Sequence, residues 1–245
     1  MARVNGRPER PMTRRERAAA TRRSILRAAR RLFSEHGYAG TPMEAIAREA
    51  GLAVQTVYFV FNTKARLILE MIKSMGAGPG EPMDTMDRPW ARETLAVTDG
   101  RRTLALMAEH GTEIYRRTAP LYSAIVSAAS TDPDVADAYR TALQMKRSGI
   151  RRQVEVIARL GHLRPDLSVE RAADLIYSIS SIEMYRLLVG DCGWGEDDLK
   201  VWVYRTLGRE LLGENLADDL AAPHILEGIS FAPSLRAATE GEEAR

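Results

Sequence analysis

Four histidines and one cysteine are the residues of this chain best suited to acid–base, metal or covalent chemistry, and their spacing supports none of it. His36, His110, His162 and His224 lie far apart, and Cys192 is the single cysteine in 245 residues. No phosphate-binding glycine loop, nucleophile elbow or dinucleotide fingerprint occurs, so the motifs give no catalytic set, no metal site and no cofactor. A site assembled from distant parts of the chain stays open at this point. The lone thiol reads as inert rather than redox-active. Charge is more informative. From Met1 to Arg31, eleven arginines stand against Glu9 and Glu16, a net +9, while the stretch from Glu214 onward is −5 and the whole chain only +2. Clustered cations attract phosphate, although a solvated tail has the same composition, and the residues after the run decide between the two.

Three helical patterns come next in the chain. From Thr21, the residues Ile25, Ala28, Ala29, Leu32 and Phe33 recur at helical spacing up to Gly37, predicting an amphipathic helix. Thr41-Pro42-Met43-Glu44 places a Thr at a helix cap, Pro at the first position and Glu at the third, and Met43, Ile46, Ala47 and Ala50 form the apolar stripe behind it. Gly51 permits a sharp turn, and a third helix is predicted from about Ala53 to Val60 with Val57 and Phe61 directed inward. Two short helices joined through a glycine make a helix-turn-helix, whose second helix enters the major groove of double-stranded DNA. Its outer face would carry Val54, Gln55, Thr56 and Phe59. A Gln can pair bidentately with adenine, and Val54 and the Thr56 methyl can meet thymine methyls. Phe59 has an equal alternative in packing against its own domain. Arg14, Arg15, Arg17, Arg22 and Arg23 are placed to reach the phosphate backbone or a neighbouring minor groove.

The rest of the chain positions that module. Thr63 opens a fourth helix toward Met75, and the Gly/Pro-rich stretch 76–82 breaks it. Helices are expected over Trp90–Thr98, Arg101–Ala119 with an end at Pro120, Leu121–Ala129, Pro133–Leu160 behind the Asp132 cap, Ser168–Val189, and Glu196–Gly213. No alternating strand pattern or repeat is present, and no apolar run is long enough for a membrane span. The fold class is therefore all-α, a helix-turn-helix domain followed by a larger helical domain. Residues 1–20 read as a basic flexible arm, 21–75 as the DNA-binding domain, 76–88 as a linker, 89–213 as the second domain, and 214–245 as an acidic, loosely ordered tail. Leu175, Ile179, Leu187, Trp202, Val203 and Leu207 form stripes on the last two long helices, and either a subunit interface or an internal core explains them.

The segment Gly37-Tyr38-Ala39-Gly40-Thr41, followed by Ile46-Ala47, Ala50-Gly51-Leu52, Thr56-Val57-Tyr58, Phe61, Lys64 and Leu67, resembles the DNA-binding domain of the TetR family of bacterial repressors. The resemblance spans about Thr21 to Leu69; where the family often has Ser, Lys and His, this chain has Ala53, Val54 and Val60. Arg164-Pro165, Ala172-Ala173-Asp174, Tyr185-Arg186-Leu187-Leu188-Val189 and Gly193-Trp194 are similar to a C-terminal regulatory domain found in many members. The resemblance implies phosphate contacts from Thr41, Tyr58 and Lys64, and pairing of the last two long helices with those of a second subunit. It also implies a ligand cavity among the helices between about Trp90 and Tyr185, for which Met107, His110, Tyr115, Tyr122, Met145, Tyr177, Glu183 and Met184 are the candidate lining. The expected protein is a cytoplasmic, homodimeric repressor, not an enzyme, released from an inverted-repeat operator by a small-molecule effector. A regulator controlled by a protein partner, an activator, and an enzyme on a helical fold are the alternatives.

Overall fold

The computed structural model of the chain describes residues 12–75, 89–213, 223–231 and 234, and no strand occurs among them. The expected linker 76–88, the first eleven residues of the expected arm and most of the expected tail lie outside the described residues. Helix α1 spans Arg14–His36, α2 Met43–Ala50, α3 Val54–Phe61 and α4 Lys64–Met75. Helix α1 begins at Arg14 rather than at the expected Thr21, so residues 14–20 are not a flexible arm. Its first turn is fixed by a capping box, in which the Glu16 amide donates to the Thr13 hydroxyl at 3.2 Å and the Thr13 amide to the Glu16 carboxylate at 2.6 Å. At the other end of the module Gly51 takes φ +67°, and the amide of Leu52 closes on the Ala47 carbonyl at 2.9 Å, which ends α2 and turns the chain into α3.

The second half is a bundle of α5 (Pro89–Ala96), α6 (Gly100–Thr131), α7 (Pro133–Arg159), α8 (Val169–Ile179), α9 (Ile182–Tyr185), α10 (Glu196–Leu207) and α11 (Pro223–Leu226). Asp132 caps α7 by accepting from the amides of Asp134 and Val135, as the Asp-Pro pair predicts. No helix among the described residues is long and apolar enough to cross a membrane. Two long elements differ from expectation. Instead of ending at Pro120, α6 runs through it as one helix of 32 residues. Pro120 cannot donate to the Arg116 carbonyl, and beside it the Arg117 carbonyl accepts from the Arg30 guanidinium of α1. Conversely, the single helix expected over Ser168–Val189 is broken at Ser180–Ser181. There the Ser180 carbonyl accepts from the Tyr115 hydroxyl at 2.5 Å and from Lys146 Nζ at 3.2 Å, Ser181 caps α9, and a π-helical stretch follows over Arg186–Asp191.

Apolar side chains gather in two clusters. One lies in the C-terminal bundle, and the other joins Ile25, Phe33, Ile46, Val57, Phe61, Leu67 and Ile68 of α1–α4 to Leu121, Ala124, Ile125, Ala128 and Val135 of α6 and α7. The tip of the α6–α7 hairpin is therefore part of the core that holds the helix-turn-helix, and Pro120 sits at the seam between the clusters. Residues 223–231, expected to be loosely ordered, are docked. Ile225, Leu226, Ile229 and Phe231 are buried in the C-terminal cluster, the Phe231 ring lies 5.9 Å from that of Tyr204, and Arg102 donates to the carbonyls of Ile225 and Glu227 at 2.9 Å each. The buried Lys200 ammonium faces Glu109 at 3.4 Å and Asp197 at 3.2 Å and donates to the Ser230 hydroxyl, so the segment is tied to a paired charge.

Phe231→Ala is expected to lower stability by about 3 kcal/mol in urea denaturation, because a fully buried aromatic is replaced by a cavity. An unchanged midpoint would mean that residues 223–231 contribute no packing.

Candidate nucleic-acid interface

Helix α3 has eight residues, too few to be stable in isolation. Val57 and Phe61 anchor it by full burial, with Val54 and Val60 half-buried against the same cluster. At 100° per residue, Gln55, Tyr58, Phe59 and Asn62 then share the opposite arc. All four are exposed, Tyr58 at 44% and Phe59 at 91%. Thr56 and Val54 flank this face. The packing alternative for Phe59 is thus excluded, since its ring touches almost nothing in its own domain. Asn62 joins the face without having been expected there. It ends α3 at φ +59°, a conformation that Asn tolerates better than most residues, and that preference at a helix end was the available signal.

Three expected phosphate contacts have other partners. Thr41 does not cap α2; Pro42 holds the cap position with no side-chain bond. The Thr41 side chain is buried, and its hydroxyl is placed against the carbonyls of Gly37 at 2.8 Å and Leu32 at 3.1 Å, tying the end of α1 to the loop. The start of α2 is left to its backbone amides, which is how helix N-termini meet anions. Lys64 Nζ donates to the Tyr38 carbonyl at 2.7 Å and sits 4.3 Å from the Tyr38 ring centroid, and burial pulls its pKa below the ordinary lysine value. Arg22 pairs with Glu70 at 2.8 Å and stacks over Phe61 at 4.7 Å, so it braces the module. Tyr58 remains unencumbered at the surface, and Arg14, Arg15, Arg17, Arg23 and Arg27 line α1 exposed.

In the C-terminal bundle the candidate ligand residues do not line one enclosed space. Met107 is buried in the core, whereas Met145 is half exposed on α7. Tyr115, Tyr122, Tyr177, Glu183 and Met184 do gather around the Ser180 break. Lys146 lies 5.3 Å from the Tyr115 ring and 4.6 Å from that of Tyr177, and the Tyr122 hydroxyl donates to Glu183 at 2.9 Å. His110 stands apart, beside Glu93 at 4.0 Å; burial holds its pKa below the ordinary value, against the opposing pull of Glu93 and Glu109. Open grooves of about 290 Å³ beside Arg147 and Asp174, and about 350 Å³ beside Arg116, Pro120 and Tyr185, lie at the surface. Among the candidate interface residues, Val203 and Leu207 belong to the chain's own core and are inaccessible to a partner. Leu175, Ile179 and Trp202 are half-buried, and Leu187 is 48% exposed. Trp194, at 37% exposure and edge-on to Trp202 at 6.2 Å, extends that apolar surface, and the exposed Cys192 lies next to it.

Residues 25–71 match the family model of bacterial regulatory proteins, tetR family. Over 180 residues the chain is 27% identical to the uncharacterized HTH-type transcriptional regulator YdeS of Bacillus subtilis (strain 168), covering 71% of this chain and 82% of that protein. Two solved structures share the fold with TM-scores of 0.64 and 19% identity. One, from Mesorhizobium loti and described as a TetR-family transcriptional regulator, covers 82% of this chain and 99% of its own. The other, a Saccharomonospora viridis protein described as a transcriptional regulator and solved in complex with choline, covers 79% and 98%.

Thr41→Val is expected to cost about 1–2 kcal/mol of stability in chemical denaturation, because the one hydroxyl proton shared between the Gly37 and Leu32 carbonyls is lost, while leaving the DNA affinity of the folded protein unchanged. A selective loss of affinity at full stability would return Thr41 to the phosphate path. His110 titrates in the opposite sense to a salt-bridged imidazole. With its folded pKa depressed below 6.5, its stabilising contribution is complete above that value and is lost as pH falls through the lower, folded pKa. A series of melting temperatures from pH 7.5 to 5 should fall more steeply for the parent than for His110→Gln; equal slopes would exclude this role.

Proposed function

We propose that this chain, whose residues 25–71 match the family model of bacterial regulatory proteins, tetR family, is a DNA-binding transcriptional regulator of that family, working as a homodimeric repressor that leaves an inverted-repeat operator when a small molecule binds its C-terminal bundle. The observation that carries the reading is the bare outer face of α3, held on a helix-turn-helix by buried Val57 and Phe61. An inverted repeat is read by two such modules at a fixed separation. The half-exposed surface of Leu187, Trp194 and Trp202, together with Leu175 and Ile179, is the face on which the second copy would pack. Phosphate contacts fall to Tyr58, to the first amides of α2 and to the exposed arginines of α1.

Effector release needs a ligand that favours one conformation over the other, and a structural element felt at both sites. The shared cluster supports such coupling, since the α6–α7 tip is buried with the reader. A shift of α6 near Pro120 would reach α1 through Arg30 and the Arg117 carbonyl. The aromatic and polar group around Ser180, with Tyr115, Tyr122, Tyr177 and Glu183, is the candidate place for the effector. The choline held by the Saccharomonospora viridis protein makes small organic cations the first class to try.

Selection of duplexes from a random pool by the full chain should recover an inverted repeat, bound by a dimer in sedimentation, and a panel of small molecules beginning with choline should contain one that releases it. Recovery of no motif, or a monomer on the bound duplex, would overturn the reading. Binding should fall with salt by a logarithmic slope of about −0.9 for each phosphate neutralised. Tyr58→Phe should weaken all sequences alike, by roughly fivefold per half-site as one hydrogen bond to a phosphate is lost.

A further inference from the structure

The reading face of α3 is unusual in what it lacks. Its eight residues, Val-Gln-Thr-Val-Tyr-Phe-Val-Phe, include no arginine, lysine, aspartate or glutamate. The commonest specific base contact, Arg or Lys on the O6 and N7 of guanine, is therefore absent from this helix, as is a carboxylate for cytosine. Instead it presents a phenyl ring. Three of the chain's four phenylalanines, Phe33, Phe61 and Phe231, are 0–1% exposed, and the fourth, Phe59, is 91% exposed. None of the other large apolar side chains found exposed among the described residues exceeds 50%. With Tyr58 exposed beside it at 44%, the ring makes an aromatic patch on a short helix whose other face is locked in a core, which fits a contact surface.

Resting on the assignment of α3 as the helix that enters the major groove, we propose that Phe59 determines specificity by packing on the 5-methyl group of thymine, beside an adenine read by Gln55. Thymine carries the one apolar group that base pairs expose in that groove. Gln55 and Phe59 are four residues apart on one face, about 6 Å along the axis, so they address base pairs within about two steps of each other. Val54 and Thr56, half-buried on the flanks, add apolar contact but cannot donate to guanine in the bidentate manner of arginine. Each half-site is accordingly read through A·T pairs, with the methyl group rather than a hydrogen-bonding edge as the decisive feature at one of them.

The test uses the full chain and the duplex recovered by selection, with deoxyuridine replacing thymidine one position at a time in each half-site. For the parent, one such replacement, within two base pairs of the adenine whose contact is relaxed in Gln55→Ala, should weaken binding about fourfold, the value of burying one methyl-sized group. In Phe59→Ala the affinity for the parent duplex should drop while that replacement becomes neutral. Because Phe59 lies outside the core, the variant should keep the parent's melting temperature and its sedimentation behaviour. Neutral deoxyuridine at every position, or a recovered half-site built of G·C pairs, overturns the methyl contact while leaving the DNA-reading function intact. An equal deoxyuridine penalty in parent and Phe59→Ala overturns it too, as does a changed oligomeric state, which would assign the ring to a protein contact. Recovery of no sequence preference overturns the proposed function and this inference together.

Discussion

An eight-residue helix cannot hold itself together in water, so α3 exists only because one of its faces is gripped. That grip limits everything else. Val57 and Phe61 must be fully enclosed for Gln55, Tyr58 and Phe59 to stand free, and the enclosure draws on α1, α2 and α4 and on the far end of the α6–α7 hairpin. Side chains that look like ligands for DNA in the sequence are consumed in bracing the grip. Arg22 is committed to Glu70 and Phe61, Lys64 to the Tyr38 loop, and Thr41 to the end of α1. The face of α3 left to meet a duplex is uncharged, and the exposed cations stand on other helices, the arginines of α1 with Arg48 of α2 and Arg66 of α4.

The all-helical class, the helix-turn-helix and the buried face of α3 were legible because each rests on local signals: a period of 3.6, a glycine with positive φ after Ala50, and an Asp-Pro start at α7. The start of α1 was equally local. Thr13-x-x-Glu16 carries the capping pattern expected at Thr41, but the arginine-rich context suggested a disordered arm. Thr41 itself shows the limit of such a motif. Whether a threonine caps the next helix or closes the previous one depends on a hydroxyl direction that spacing does not encode. Pro120 misled in the same way, since a solvent-facing proline deep in a long helix removes one bond without ending the element.

Long-range choices were beyond reach of pattern. Val203 and Leu207 have the spacing of an interface stripe and of a core stripe alike, and burial inside one chain decides for the core. The break at Ser180 depends on Tyr115 and Lys146, more than thirty residues away on other helices, whose donors satisfy a carbonyl that a continuous helix would have used. Docking of residues 223–231 depends on Arg102, Glu109 and Lys200, and the acidic composition of the surrounding tail masks the apolar Ile225, Ile229 and Phe231 within it.

The sharing of one apolar cluster between α1–α4 and the α6–α7 tip also sets an order of events during synthesis. The helices that present the reading face are complete by Met75, yet the last buried side chain of their cluster, Val135, is made roughly sixty residues later. At ordinary translation rates that is an interval of about 3–12 s. Throughout it the nascent module has an open flank where Leu121, Ile125 and Val135 will close. The core that holds the reading face is therefore complete only once the α6–α7 hairpin has been made.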